Sequence, residues 1–168
     1  SVLEKASKEL EKEAEAKYPG NLEVIMAILS NYAPESRITI KLECPLEALE
    51  DASPLLSGAE FAEKFRRAVE ISHHSVSRAV THNKGIMNGV DSVVMATGND
   101  FRAIEAGVHA FAINKGTYSS LTKCEINNGT FTFRIIIPLA LGTIGGLTSL
   151  HPLAKRALEL LGRPTAKK

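Results

Sequence analysis

Ser75-Val76-Ser77-Arg78-Ala79-Val80-Thr81-His82-Asn83-Lys84-Gly85-Ile86-Met87-Asn88-Gly89-Val90-Asp91-Ser92-Val93-Val94-Met95-Ala96-Thr97-Gly98-Asn99-Asp100 is the stretch on which the fold turns. Small and hydrogen-bonding residues are interleaved there with Ile86, Met87, Val90, Val93, Val94 and Met95. A short apolar run of this kind can be a buried helix or a buried strand. Ile86, Val90 and Val94 recur every fourth residue, and Val93 follows Val90 by three, which predicts a buried helix. Asn99-Asp100 then reads as a helix start, with a second helix from Arg102 to Ile113.

Working outward, a helix is expected from Gly58 to His73, with Phe61, Phe65, Ala68 and Val69 on one face. Pro45 and Asp51-Ala52-Ser53-Pro54 mark a loop before it. Arg37 to Glu43 alternates, with Ile38, Ile40 and Leu42 on one side, which predicts a half-buried strand. Leu22 to Leu29 is a continuous apolar run that reads as a strand, broken by Ser30-Asn31-Tyr32-Ala33-Pro34. Leu3 to Tyr18 is charge-dense with a narrow stripe of Leu3, Ala6, Leu10 and Ala14, a helix ended by Pro19-Gly20. Downstream, Asn128-Gly129 centres a hairpin over Leu121–Pro138. Leu139 to Leu150 is Gly-rich, and His151-Pro152 opens a last helix ending near Gly162. The elements together predict an α+β fold.

The chain has 168 residues, 44% hydrophobic and 23% charged, the balance of a globular domain. No run of about 18 apolar residues offers a membrane span. Twenty basic against 19 acidic residues leave a net charge of +1, so charge makes no case for nucleic acid or an anionic membrane. Two cysteines, Cys44 and Cys124, are too few for a disulfide framework and fit a reduced, cytoplasmic setting. No secretory leader is visible, and a first residue of Ser1 is expected of a chain processed or cut from something longer.

Nucleotide-binding glycine fingerprints, a phosphate loop, a nucleophile elbow and metal-spaced histidines are all missing from the sequence. The adjacent His73 and His74 are expected to serve surface or packing roles. Thr81 to Gly89 places a Lys and two Asn among apolar neighbours, and Gly98-Asn99-Asp100 follows it. A half-buried Lys84 beside Asp100 could hold a proton or a developing oxyanion. From composition alone, a structural ion pair that merely satisfies itself is the favoured reading. Gly142-Thr143-Ile144-Gly145-Gly146 would let backbone approach a ligand or another backbone closely.

Three segments carry a resemblance: Arg78 to Asp91, Ala96 to Gly107, and Pro138 to Gly146 with Thr148; Ile28-Leu29-Ser30-Asn31-Tyr32 agrees with them. In that order, over nearly the whole chain, they resemble the second, bacterial and archaeal class of 3-hydroxy-3-methylglutaryl-CoA (HMG-CoA) reductases. The resemblance implies interconversion of HMG-CoA and mevalonate with NADH or NADPH. It makes Lys84 the stabiliser of the oxyanion and Asp100 a member of its charge network. It sets Arg78 at the carboxylate of the HMG group, Asn88 beside the active site, and Asn31 near the cofactor at the junction of two domains.

On the family template, residues 1–34 are the tail of a small ferredoxin-like cofactor domain. Residues 35–168 are part of a large domain built round a buried helix. Active sites of the family form between subunits, so a homodimer or higher oligomer is implied. The cofactor motif, the catalytic Glu and the catalytic His of the family have no counterpart in the chain. Leu147 replaces a small residue, and Phe101 stands where Trp is common. A fragment is therefore expected, its missing groups supplied from elsewhere, for example by a second chain. The alternative is a non-catalytic CoA- or HMG-binding or structural fragment.

Overall fold

A computed structural model describes residues 2–20, 23–114, 116–142 and 150–162. They fall into two units, Ser1–Asn31 and Tyr32–Lys168.

In the first unit, helix α1 (Val2–Lys17) buries none of its side chains, consistent with its thin apolar stripe. Tyr18 N–H still donates to Ala14 C=O (2.8 Å), and Gly20 then turns the chain at φ +67°. Residues 23–30 take no regular secondary structure, so the strand expected over residues 22–29 is not formed; Leu22 itself lies outside the described residues. The reason is pairing. A strand needs a neighbour for its N–H and C=O groups, and neither sheet of the described residues reaches this segment. Ile25, Met26, Ile28 and Leu29 stand exposed.

The second unit is built on a three-stranded antiparallel sheet in the order β1–β5–β4. Its strands are β1 (Arg37–Pro45), β4 (Thr122–Asn127) and β5 (Thr130–Pro138). A two-stranded ribbon, β2 (Ile113–Asn114) with β3 (Thr117–Tyr118), lies between α4 and β4 in sequence. Asn128 (φ +49°) and Gly129 (φ +76°) both take the left-handed conformation, which matches strand twist in a two-residue turn and fixes Asn127 opposite Thr130. In the same register Ile38, Ile40 and Leu42 face Ile137, Ile135 and Phe133.

Helices α2 (Gly58–His74), α3 (Val76–Ala96) and α4 (Phe101–Phe111) follow one another closely. Ser57 and Glu60 form a reciprocal capping box at the start of α2. Phe65 of α2 meets Phe131 and Phe133 edge-on, at centroid distances of 5.6 and 5.3 Å. The core joins Met87 and Val94 of α3, Ile104 and Val108 of α4, and Leu121 and Ile137. The expected helix over the deciding stretch is therefore present. It is buried along a stripe of Ala79, Asn83, Met87 and Val94, while Val76, Val80, Val93 and Met95 are exposed.

Two other expectations are corrected. Residues 46–52 form a 3-10 helix rather than an open loop. The apolar face of β1 is less covered than alternation suggested: Ile40 and Leu42 are 54% and 52% exposed. β1 is an edge strand, and α2 and α4 pack on β4 and β5 instead. Cys44 and Cys124 are free thiols, and burial pushes Cys124 up to about 11. No helix of the described residues is long and apolar enough to cross a membrane.

A polar seam runs beside the apolar core. Asn83 is fully buried; its Nδ2 donates to Ser119 C=O (2.9 Å), and its Oδ1 accepts from Leu121 N–H (3.1 Å). His73 bridges Ser119 Oγ and Thr122 C=O, a packing role for this histidine, and His82 Nε2 bonds Thr122 Oγ1 (2.7 Å). Burial, then the neighbouring His73 and Arg78, push the His82 imidazole below its ordinary range.

Gly58 and Gly85 separate space from propensity. A Cβ at Gly58 would strike Leu46 C=O and crowd Glu50 N–H at 3.2 Å, whereas one at Gly85 meets nothing within 4 Å. Gly58→Ala is expected to cost about 1–3 kcal/mol by overpacking. Gly85→Ala should raise stability by up to about 1 kcal/mol through helix propensity. Urea unfolding of both variants checks the opposite signs.

Candidate functional site

Three of the singled-out side chains stand on α3. Arg78 lies in its first turn, where Ser75 Oγ accepts from the Arg78 backbone N–H (3.4 Å). Lys84 and Asn88 are four residues apart and so share one stripe of the helix. Arg78 is six residues before Lys84, roughly a third of a turn round the axis at about 3.6 residues per turn. Arg78, Lys84 and Asn88 are exposed. Gly85 follows Lys84 and Gly89 follows Asn88, each with open space where a side chain would be. Among the described residues nothing forms an ion pair or side-chain hydrogen bond with Lys84.

Asp100 is elsewhere. Gly98 (φ +75°) ends α3 in the left-handed conformation, and Asn99 N–H reaches back to Val94 C=O (3.0 Å). The chain turns there, and Asp100 caps α4 by accepting from the N–H groups of Arg102 (3.0 Å) and Ala103 (3.4 Å). Arg102 Nε and Nη2 also donate to it, at 3.2 and 3.3 Å. The Arg102 hydrogen bond, ahead of the backbone donors, holds the Asp100 carboxyl below the usual carboxylate range. The run from Lys84 to Ala96 advances roughly 18 Å along α3 at about 1.5 Å per residue. A Lys84–Asp100 pair within one chain, with the lysine half buried, is thus not what this chain forms. Lys84 is exposed, and Asp100 is committed to Arg102.

A cleft of about 940 Å³ opens at Asp100, between the end of α3, the start of α4 and the start of helix α5 (Pro152–Leu160). Met95, Asn99, Arg102, His151 and Leu153 line it with Asp100. Arg78, Lys84 and Asn88 do not. His151 was read from sequence only as the opening of a helix. Only the folded chain brings it to the cleft of Asp100. Gly142 N–H donates to Asn99 Oδ1 (2.9 Å), which ties the start of the Gly-rich segment to the same turn. Thr143 to Gly146, Leu147 and Thr148 lie outside the described residues. Asn31 belongs to the first unit and is exposed.

A second titratable cluster lies across α3 and α4. Asp91 has a buried Oδ1 without a hydrogen-bond partner among the described residues. Burial, then the neighbouring Glu105, raise the Asp91 carboxyl; His109 opposes them. His109 Nδ1 is bonded to Tyr118 Oη (2.8 Å). No three His, Cys, Asp or Glu side chains of the described residues gather as metal ligands.

Comparison with known proteins gives one consistent answer. The family model for hydroxymethylglutaryl-coenzyme A reductase matches residues 1–168. The chain is 46% identical over 114 residues to 3-hydroxy-3-methylglutaryl-coenzyme A reductase of Archaeoglobus fulgidus, covering 67% of this chain and 26% of that protein. It is 37% identical over 130 residues to a probable reductase of the same name from Borreliella burgdorferi, covering 77% of this chain and 29% of that one. Among solved structures, the Streptococcus pneumoniae class II enzyme bound to NADPH in open conformations superposes with a TM-score of 0.82 at 36% identity, over 95% of this chain and 42% of that chain. The chain thus spans between a quarter and a third of the curated relatives' length.

Two outcomes follow from the local geometry. Asp100→Ala removes the α4 cap and should lower Tm by a few degrees, while Asp100→Asn, which can still cap, should hardly move it. Asp91 has a raised folded pKa, so the stability it lends at acid pH is lost as pH rises through that value. Asp91→Asn should therefore match the wild type at acid pH and exceed it in stability at neutral pH. Urea midpoints across that range test it.

Proposed function

Because the chain belongs to the hydroxymethylglutaryl-coenzyme A reductase family, we propose that it is the portion of a class II reductase that holds the oxyanion-stabilising lysine and its carboxylate. The intact enzyme interconverts HMG-CoA and mevalonate with NADH or NADPH, in the cytoplasm. Residues 1–34 belong to its cofactor domain and 35–168 to its large domain.

The observation that supports this most is the placement of Lys84. It stands exposed on α3 next to Gly85, with Gly89 a turn further on, and no described residue covers either glycine. An uncovered glycine inside a helix costs roughly 1 kcal/mol against alanine, so two of them beside a lysine suit a close-packed neighbour. In this reading the neighbour is a second subunit, which brings its own carboxylates to Lys84. The site is incomplete in one copy because the roughly 18 Å of helix between Lys84 and the Asp100 turn keeps the two apart.

Each residue then has work its chemistry allows. Reduction of the thioester and of the aldehyde puts negative charge on the carbonyl oxygen, and the Lys84 ammonium faces that charge once water is excluded. Arg78 offers a planar fork to the carboxylate of the HMG group. Asn88, one turn beyond Lys84, can donate to the same substrate. Asp100, held ionised by Arg102, supplies fixed negative charge to the network. The nicotinamide cofactor, when bound, supplies hydride. Asn31 is assigned a cofactor contact and no more.

A second reading, a binding or structural portion without turnover, is favoured by the prior commitment of Asp100 to Arg102. HMG-CoA-dependent oxidation of NADH and NADPH by the assembled protein separates the two. Turnover abolished by Lys84→Ala supports the reductase. No turnover in a folded, assembled wild type, with HMG-CoA still bound, supports the second reading.

A further inference from the structure

The sheet has a second side, which the proposed reaction leaves unused. The register sets Lys41, Arg134 and Lys123 opposite one another across β1, β5 and β4, three cations in one cross-strand row. Like charges in that arrangement are unfavourable unless something compensates them. Lys41 is compensated: its Nζ lies 2.6 Å from Glu43 Oε1. Arg134 feels the same Glu43 only at longer range, without a contact, and no acidic partner is shown for Lys123. Among the described residues neither forms an ion pair or a side-chain hydrogen bond, although Arg134 is partly buried. The acidic side chains of this face, Glu43 and Glu125, flank Thr132 in the next row.

Arg134 and Lys123 instead line a cleft of about 400 Å³ on the side away from that acidic row. Arg37 joins them, with only a 3.8 Å contact to the exposed Glu35. No carboxylate lines the cleft. Ile136, Phe111 and Tyr32 supply apolar and aromatic wall, and Ser120 and Thr122 add hydroxyl-bearing residues. The end of α4 also borders it, but a helix C-terminus offers only about half a negative charge, against three full cations. Its Ala112 carbonyl is already taken by Ser119 N–H (2.9 Å).

We propose that this cleft binds a phosphorylated small molecule of nucleotide size. Its phosphates are held by Arg134, Lys123 and Arg37, and its ring lies against Ile136, Phe111 and Tyr32. The volume falls in the range of small-ligand pockets. A guanidinium flanked by further cations suits phosphate oxygens, and the apolar walls suit a base. The inference does not depend on the reductase reading, because none of Arg78, Lys84, Asn88 and Asp100 lines the cleft.

The test is calorimetric titration of the full chain with ADP, and with adenosine as the uncharged control. ADP should bind, adenosine should bind much more weakly, and added salt should weaken ADP. Arg134→Gln should cut ADP affinity by about tenfold or more, and Lys41→Gln, on the same row but outside the cleft, by less than about twofold. Where Arg134→Gln does not fold by circular dichroism, Lys123→Gln carries the same expectation. No ADP binding to the folded wild type overturns the proposal. So does an equal loss in Lys41→Gln, which would mean diffuse surface charge. Binding lost in Arg78→Ala but kept in Arg134→Gln also overturns it, and would move the phosphate site to the proposed substrate groove while leaving the reductase reading intact.

Discussion

One buried amide sets the arrangement of everything round α3. Asn83 is sealed from water, and it spends its carboxamide on a carbonyl and an N–H two residues apart in the link between β3 and β4. Leaving either backbone group unmet in the interior costs roughly 1–3 kcal/mol, so the helix has little freedom to rotate about its axis. With Asn83 pointing inward, Met87 and Val94 must enter the core, and Lys84 and Asn88 must face out. His73, His82 and Thr122 extend the same seam, where burial depresses the His82 imidazole. The polar seam orients the helix, and the apolar stripe beside it supplies most of the burial.

What could be read from the sequence was local. The helix over the deciding stretch, the Asn128-Gly129 turn and the alternating strand each carry their signal within a few residues, and each is present. The expectations that failed depended on neighbours. Residues 22–29 have the composition of a strand, but composition cannot supply a pairing partner. Ile40 and Leu42 alternate correctly, yet their cover depends on where α2 and α4 come to rest. The pairing of Lys84 with Asp100 failed for another reason. Roughly 18 Å of helix separates Lys84 from the turn that holds Asp100, and Asp100 meets its local neighbour Arg102 instead. His151 was unreadable as a neighbour of Asp100, since only tertiary structure joins them.

The electrostatics of the proposed site depend on its surroundings. Two unit charges about 4 Å apart interact by about 1 kcal/mol in bulk water and about 4 kcal/mol at an effective dielectric of about 20. Lys84 as it stands on one copy belongs to the first regime. Oxyanion stabilisation needs the second, and covering the glycine-bearing face of α3 would provide it. The same reasoning separates the two cation groups of the molecule. Lys41 is in contact with Glu43, whereas Arg134 and Lys123 line a cleft and make no such contact.

The central strand has consequences for how the chain reaches this structure. β5 pairs with β4 across a two-residue turn but with β1 across about 90 residues of intervening chain, and loop closure of that length is costly and slow. The hairpin can form on the microsecond scale, while β1 must wait for α2 and α3 to bring it back. During that interval the free edge of β5 presents Phe131, Phe133, Ile135 and Ile137 with no strand beside them. During synthesis β1 emerges well before β5. The vulnerable period for misassembly therefore runs at least until residues 130–138 are available to close that one long-range edge.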